Sequence, residues 1–247
     1  MEKKPLPNRT QWYEPRPLRI RVANSLRRRW AHFWARRSSV SGLGRLASRL
    51  ACFTAPPHKA GTHLADIARC GYFIAPTATV YHSRLFFGKS VYIGDRVILY
   101  QAMYGGVRGG DIVLGDGVRI LRDTIVETGQ GGSIVIGDNT WVHPRCQINA
   151  YKSHIKIGAG VDIAPNCAFY SYDHGIEAGK WIREQPLTTK GPIIVDDEVW
   201  LGFGVIVLSG VHIGKGAVIG SGSVVAGNIP ENCIAIGSPA KVIKTRN

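Results

Sequence analysis

The residue best suited to acid–base chemistry is His174, in the stretch YSYDHGIEAGKWIREQPLTTKGP that spans residues 170–192. An unperturbed imidazole titrates near pH 6.5, so its neutral form can take a proton from an attacking hydroxyl group. Asp173 and Glu177 lie close enough in sequence to orient that imidazole. Without further context, solvated loop side chains are the simpler interpretation of all three residues. Their chemistry therefore depends on the elements around them.

The sequence on both sides of this stretch repeats an apolar residue every six positions, a period that matches neither a helix nor an ordinary strand. The anchors of this repeat are Ile74, Val80, Phe86; Leu114, Ile120, Val126; Ile136, Val142, Ile148; Ile157, Ile163, Phe169; and Val195, Leu201, Val207, Ile213, Ile219, Val225. Each hexad predicts one short strand and a corner, and three hexads close a triangular coil. Coils stacked about 4.8 Å apart form a parallel β-helix.

Two further positions repeat with the anchors. Four residues after an anchor the side chain is small or β-branched, which predicts a second inward position: Val97, Val118, Thr124, Thr140, Cys146, Val161, Cys167, Val199, Val205, Val211, Ala217, Ser223. One residue after an anchor glycine recurs, which we interpret as permitting a tight corner: Gly94, Gly115, Gly137, Gly158, Gly202, Gly214, Gly220. The buried cysteines then act as compact hydrophobic residues rather than as redox groups.

Extra residues between triplets predict where the coils bulge. Residues 105–111 and 128–133 are short glycine-rich insertions that fall at a common corner. Residues 170–192 interrupt the repeat for much longer, and they contain His174. Because loops on a rigid scaffold commonly carry function, the interruption is the expected place for a site.

The net charge of +14 is concentrated at the N-terminus. The first fifty residues hold thirteen Lys and Arg against Glu2 and Glu14, a balance of +11, which leaves +3 for the remainder. The five cysteines form no CxxC pair, which argues against a zinc knuckle or a disulfide scaffold. No apolar run approaches the ~20 residues of a membrane span, and arginines interrupt any secretory-type core. An Arg-rich, acid-poor start also resembles a transit peptide, but the cytoplasm is the default expectation.

The basic extension predicts an amphipathic helix between residues 18 and 50. Val22, Leu26, Trp30, Phe33 and Trp34 recur at helical spacing among arginines, and further leucines follow. Peripheral membrane contact through residues 18–50 and a cap over the first coil are both expected roles, and they are compatible. No nucleic-acid partner is expected, since no reading module accompanies the arginines. Residues 62–71 predict a short helix ending at Gly71.

The hexads resemble the hexapeptide-repeat acyltransferases, whose fold is a left-handed parallel β-helix. The resemblance covers residues 74–247 and is strongest in IGAGVDIAPNCAFYSYDH, VDDEVWLGFGVIVLSGVHIGKGAVIGSGSVVAGNIPEN and AIGSPAKVIK. The last of these is similar to the closing segment of the galactoside, maltose and nodulation acetyltransferase branch. It implies a mainly β protein, with an N-terminal helical extension in residues 1–70 and an acyltransferase domain in residues 71–247 whose catalytic loop is residues 170–192.

In that branch the residue at the start of the loop is the catalytic histidine, which corresponds to His174. The resemblance implies acetyl-CoA as co-substrate, no metal, and Asn149 as a donor to the oxyanion. The residues that it implies for coenzyme A are Trp200, Gly202, Phe203, Ser221, Ala226, Gly227, Lys241 and Lys244. A lysine found in many relatives is absent where this chain reads Val225-Ala226-Gly227-Asn228, so nucleotide contacts there are expected to be backbone-mediated or weaker.

The resulting hypothesis is a cytoplasmic homotrimer, peripheral on the inner face of the membrane, that O-acetylates a sugar or glycan hydroxyl. N-acetylation of an aminosugar is the nearest alternative, and a non-catalytic scaffold or membrane adaptor is another. A zinc hydratase with three histidine ligands, as in gamma carbonic anhydrases, fits less well. His143, His154 and His174 lie eleven and twenty residues apart, which is a poor spacing for such a site.

Overall fold

A computed structural model describes residues 18–39, 42–54, 61–104 and 106–246. The described α-helices are α1 (Leu18–Ala35), α2 (Leu43–Cys52) and α3 (Leu64–Ile67), and they precede the first strand. A 3-10 helix, Ile182–Glu184, lies within the 171–192 segment. The short helix predicted for residues 62–71 is therefore only four residues long, although Gly71 does adopt a positive φ of 82° after it. The amphipathic segment of residues 18–50 forms two helices instead of one.

The rest of the described chain winds through three parallel sheets, here called faces A, B and C. Face A contains Tyr72–Ile74, Val91–Ile93, Arg119–Ile120, Trp141–Val142, Asp162–Ile163, Trp200–Leu201, Val218–Ile219, Cys233–Gly237 and the antiparallel closing strand Ala240–Thr245. Face B contains Thr79–Tyr81, Ile98–Gln101, Ile125–Thr128, Gln147–Ala150, Ala168–Tyr170, Ile206–Val207 and Val224–Val225. Face C contains Leu85–Phe87, Ile112–Leu114, Ile134–Ile136, Ile155–Ile157, Ile193–Val195 and His212–Ile213.

The predicted inward positions form one continuous core. All twelve small residues are buried, and so are the anchors from Leu114 onwards. The first coil differs, because Phe86 is 54% exposed and Phe87 pairs with Leu114 in its place. The prediction for Phe86 was wrong because this coil contains one extra residue before its face C strand, which shifts the inward position by one.

The recurring glycines have a different cause from the one predicted. None of the seven glycines that follow an anchor has a positive φ; the left-handed conformation lies two residues further on, as at Gly117, Asn139 and Gly160. A Cβ atom at Gly137 would lie 2.6 Å from the carbonyl carbon of Gly158 in the next coil. Glycine is therefore required there because stacked coils approach closely, and the corner itself bends elsewhere.

Every long insertion lies at the corner between faces B and C. The hairpin formed by Met103–Tyr104 and Val107–Arg108 lies there, and so do residues 129–133 and 151–154. The longest interruption, residues 171–192, leaves the coil after Tyr170 and returns at Ile193. The coils thus present their irregular segments along one edge, which is where the sequence predicted the site.

The helices pack against the outer surface of face A near the first coils. Ala31 and Ala35 of α1 are buried with Phe73 and Tyr92, whose side chains point outward from face A. Arg45 of α2 donates to the main-chain oxygen atoms of Pro76 and Ala78 in the first coil, at 3.2 and 3.4 Å. Helices α1 and α2 are thereby fixed to the β-helix. None of the described helices is both long and apolar enough to cross a bilayer.

Candidate active site

His174 lies on a two-stranded antiparallel hairpin that projects from the corner between faces B and C. Asp173–His174 pairs with Leu187–Thr188, so that His174 lies opposite Leu187. The imidazole is exposed and makes no hydrogen bond within the part of the chain that the structure describes. Its ring centroid lies 6.5 Å from that of Tyr172. The ring is therefore accessible to a ligand.

The neighbouring carboxylate has a different partner. Asp173 Oδ2 accepts a hydrogen bond of 2.7 Å from Ser209 Oγ, which lies on the next coil. Adjacent residues of a strand point to opposite sides, so this bond directs the Asp173 side chain away from that of His174. Within one chain, Asp173 thus anchors the hairpin, and Glu177 forms an ion pair with Lys180. Sequence reasoning missed Ser209, which resembles any other small corner residue.

Two buried polar side chains shape the 171–192 segment. Ser171 Oγ accepts from the Tyr151 amide at 3.0 Å and lies 3.0 Å from the oxygen of Ser153, which ties the start of the segment to the preceding coil. Gln185 is buried. Its Oε1 accepts from the main-chain amide of Glu177 at 2.8 Å, and its Nε2 donates to the main-chain oxygen of Glu177 at 3.1 Å. The tip of the loop is thus organised around one amide group. No sequence signal marked Gln185.

Asn149 lies at the base of the same hairpin. Its strand pairs Asn149 with Tyr170, and its main-chain oxygen accepts from the Ser171 amide at 3.3 Å. The side chain is 8% exposed, and its Oδ1 is buried with no hydrogen-bond partner among the described residues. Leaving such an atom unpaired costs about 1–3 kcal/mol. A buried amide oxygen that lacks a donor beside the His174 hairpin is the expected condition of a group whose partner is a ligand.

Three tyrosines lie near Asn149 and the start of the His174 hairpin. The Tyr151 and Tyr172 rings lie 5.0 Å apart, and the Tyr170 and Tyr172 rings lie 6.0 Å apart. The Tyr151 hydroxyl donates to Glu127. Burial, followed by the hydrogen bond to Glu127, raises the pKa of Tyr151 above its ordinary value, and burial also raises the pKa of Tyr172. These hydroxyls therefore stay protonated near neutral pH and serve as donors.

The residues predicted for coenzyme A fall into three places: Trp200, Gly202, Phe203 and Ser221 on face A and the corner after it; Ala226 and Gly227 at the corner between faces B and C; Lys241 and Lys244 on the closing strand. The Trp200 and Phe203 side chains are about half exposed. A Cβ atom at Gly227 would meet nothing within 4 Å. Ala226 and Gly227 share their corner with the His174 hairpin, whereas face B separates them from Trp200 and Phe203 within one chain.

The other two histidines considered as zinc ligands have local partners. His143 Nε2 lies 3.1 Å from Asp162 Oδ1, and His154 Nδ1 lies 2.7 Å from Ser133 Oγ. Across the described ranges, no three side chains of His, Cys, Asp or Glu come together as metal ligands. Nothing in the geometry therefore gathers His143, His154 and His174 around one ion.

Comparisons with known proteins support the six-residue repeat of the sequence. Residues 192–227 match the family model described as bacterial transferase hexapeptide, six repeats. A predicted acetyltransferase of Saccharomyces cerevisiae is 42% identical over 114 residues, which are 46% of this chain and 57% of that protein. Galactoside O-acetyltransferase of Lactococcus lactis is 31% identical over 132 residues, which cover 45% of this chain and 63% of the relative. The chain thus spans about half the length of the curated relatives that it matches.

One solved structure supports the fold alone. AntD, an N-acyltransferase of Bacillus cereus solved with dTDP and 3-hydroxybutyryl-CoA, superposes with a TM-score of 0.50 at 20% identity. The alignment covers 72% of this chain and 81% of AntD. Together with the three parallel faces and the matched repeats, these findings confirm the predicted fold, a left-handed parallel β-helix of hexapeptide repeats, and the chain is similar over part of its length to named acetyltransferases.

Proposed function

We propose that the protein is an acetyl-CoA-dependent O-acetyltransferase that acts on a sugar or glycan hydroxyl, with His174 as the general base. The observation that carries this proposal is the pairing of an unengaged, exposed imidazole with the buried side chain of Asn149, whose Oδ1 has no partner among the described residues, at the base of one hairpin. The similarity to a galactoside O-acetyltransferase supports the substrate class.

The residues of the site divide the chemistry between them. His174 takes the proton of the acceptor hydroxyl while its oxygen attacks the acetyl carbonyl carbon. The carbon–sulfur bond of the thioester then breaks, and the proton held by His174 passes to the leaving thiolate. In this proposal the NH₂ group of Asn149 donates to the oxyanion, while its unpartnered Oδ1 accepts from a hydroxyl group of the ligand. The tyrosines beside His174 supply flat aromatic surfaces for the sugar ring.

The proposed position of acetyl-CoA and the proposed oligomeric state depend on each other. Ala226 and Gly227 share a corner with His174, whereas Trp200 and Phe203 lie beyond face B, so one extended molecule contacts both groups only when two chains face each other. A homotrimer with acetyl-CoA in the grooves between its chains satisfies this geometry. Lys241 and Lys244 are exposed on the closing strand, and in this proposal they bind the phosphate groups of the donor.

The decisive experiment compares His174→Ala with His212→Ala, a matched change at an exposed histidine on face C. Thiol release from acetyl-CoA is followed with methyl β-galactoside, maltose and glucosamine as acceptors, and the acetylated product is identified. We expect His174→Ala to lower kcat by about 10²–10⁴-fold while sedimentation shows an unchanged oligomer. Full activity in His174→Ala, or transfer only to the amine of glucosamine, would contradict the proposal.

The helical extension is proposed to rest on a membrane surface. Six large apolar side chains of α1, of α2 and of the residue after α2 are exposed, and they are here called the apolar patch: Leu26, Trp30, Phe33, Leu43, Leu46 and Phe53. Residues 18–54 contain nine arginines and no acidic residue, which suits anionic lipid. Flotation with phosphatidylcholine–phosphatidylglycerol vesicles is expected to fail for Leu43→Ser/Phe53→Ser and to persist for Ile176→Ser/Trp181→Ser, an equally exposed apolar pair. Equal flotation of both variants would rule the contact out.

A further inference from the structure

A second concave site lies far from His174, on the side of α1 that faces the turn after α3. The site is a cleft of about 840 Å³, here called the arginine cleft, lined by Ser25, Arg28, Arg29, His32, Phe33, Arg36, Arg37 and Arg69. Its volume is within the usual range of small-molecule sites, about 300–1,000 Å³. The hypothesis for acetyl transfer uses none of these residues.

The sequence of α1 explains why the cationic side chains converge. Arg28, Arg29, His32 and Arg36 recur at intervals that place them along one strip of the helix. Ala31 and Ala35 lie on a different strip and are buried against the β-helix, which fixes the rotation of the helix. The cationic strip is consequently held beside Arg69.

The guanidinium groups of the arginine cleft have no carboxylate partners among the described residues, whose ion pairs all lie elsewhere. The acidic residue nearest in sequence to Arg69 is Asp66, and its Oδ1 lies 2.8 Å from Arg119. Arg37 donates to the Phe33 oxygen at 2.8 Å and stacks over the Phe33 ring at 3.7 Å, which orders one wall of the cleft. Five like charges around one cavity repel each other, and an anion offsets that repulsion.

We propose that the arginine cleft binds a diphosphate group. Guanidinium forks bind phosphate oxygens in pairs, so several converging arginines favour a group with two linked phosphates over a single one. The group has two chemical sources, a lipid-borne diphosphate or a free one. The apolar patch adjoins the cleft through Phe33, which belongs to both, and this contact favours the lipid-borne source.

Calorimetric titration of the full chain with inorganic phosphate, inorganic pyrophosphate and farnesyl diphosphate tests the proposal. We expect pyrophosphate to bind about 10-fold more tightly than phosphate at equal ionic strength, because it engages a second arginine pair. Tighter binding of farnesyl diphosphate than of pyrophosphate supports a lipid-borne ligand, and equal binding supports a free one. Failure of both diphosphates to bind better than phosphate overturns the site.

Two charge-matched variants separate this cleft from the proposed donor site. Arg29→Gln/Arg36→Gln is expected to weaken pyrophosphate binding by about 10-fold or more, and glutamine preserves helix formation at position 29, since Arg36 lies in the turn after α1. Lys241→Gln/Lys244→Gln removes the same charge from the closing strand and is expected to leave that binding unchanged. Circular dichroism verifies the fold of both variants. The reverse result would assign the diphosphate to the closing strand and overturn the proposal, whatever the outcome for acetyl transfer.

Discussion

The coils and the segment of residues 171–192 hold their side chains in different ways. In the coils, an inward side chain such as Ile148 is stacked between equivalent residues, Val126 and Phe169, of the neighbouring coils. In the 171–192 segment each contact is made once, as when Asp173 meets Ser209 or Gln185 meets Glu177. Stability therefore resides in the repeated coils, whereas the position of His174 depends on a few hydrogen bonds that are each made only once.

The largest expected effect is on the coils. Phe169 is fully buried and is the largest side chain among the anchors of the coil that precedes the hairpin. Phe169→Ala should lower the free energy of unfolding by about 3–5 kcal/mol, because it removes buried apolar area and leaves a cavity. Denaturant unfolding followed by circular dichroism measures the change. A loss below about 1 kcal/mol would show that the stacked core relaxes around a missing ring, and it would contradict the inference that stability resides in the coils.

Two glycines test the close contact between coils, and the expected loss of stability is smaller than for Phe169→Ala. A Cβ atom at Gly137 would lie 2.6 Å from the backbone of the next coil, whereas one at Gly227 would meet nothing within 4 Å. Gly137→Ala should therefore destabilise the fold by about 1–3 kcal/mol, through overpacking between coils. Thermal unfolding of Gly137→Ala and Gly227→Ala, measured side by side, checks this difference. Equal melting temperatures would mean that the coils can separate locally without cost.

The two regions were not equally predictable from the sequence. The hexad period predicted the inward positions because repetition averages over single exceptions, and it failed at Phe86, where one additional residue shifts the strand. The period also located the 171–192 interruption and His174. It could not predict Ser209 or Gln185, since their roles arise from single tertiary hydrogen bonds that leave no spacing pattern. The glycines were located correctly, but their cause depends on the distance between coils, which only the structure supplies.

The smallest expected effect on stability separates the regions most clearly. Ser209→Ala removes the hydroxyl that donates to Asp173 Oδ2 and should cost about 0.5–1.5 kcal/mol at most, since the pair is partly exposed. Because this bond anchors the hairpin to the coil beside it, hydrogen exchange should increase at residues 173–188 and remain unchanged in the strands of face B. If His174 is the base, kcat should also fall, because the imidazole is displaced from the position in which it reaches the acceptor hydroxyl. A global rise in exchange would instead assign Ser209 to the stability of the coils, and an unchanged kcat would show that the hairpin positions His174 without this anchor.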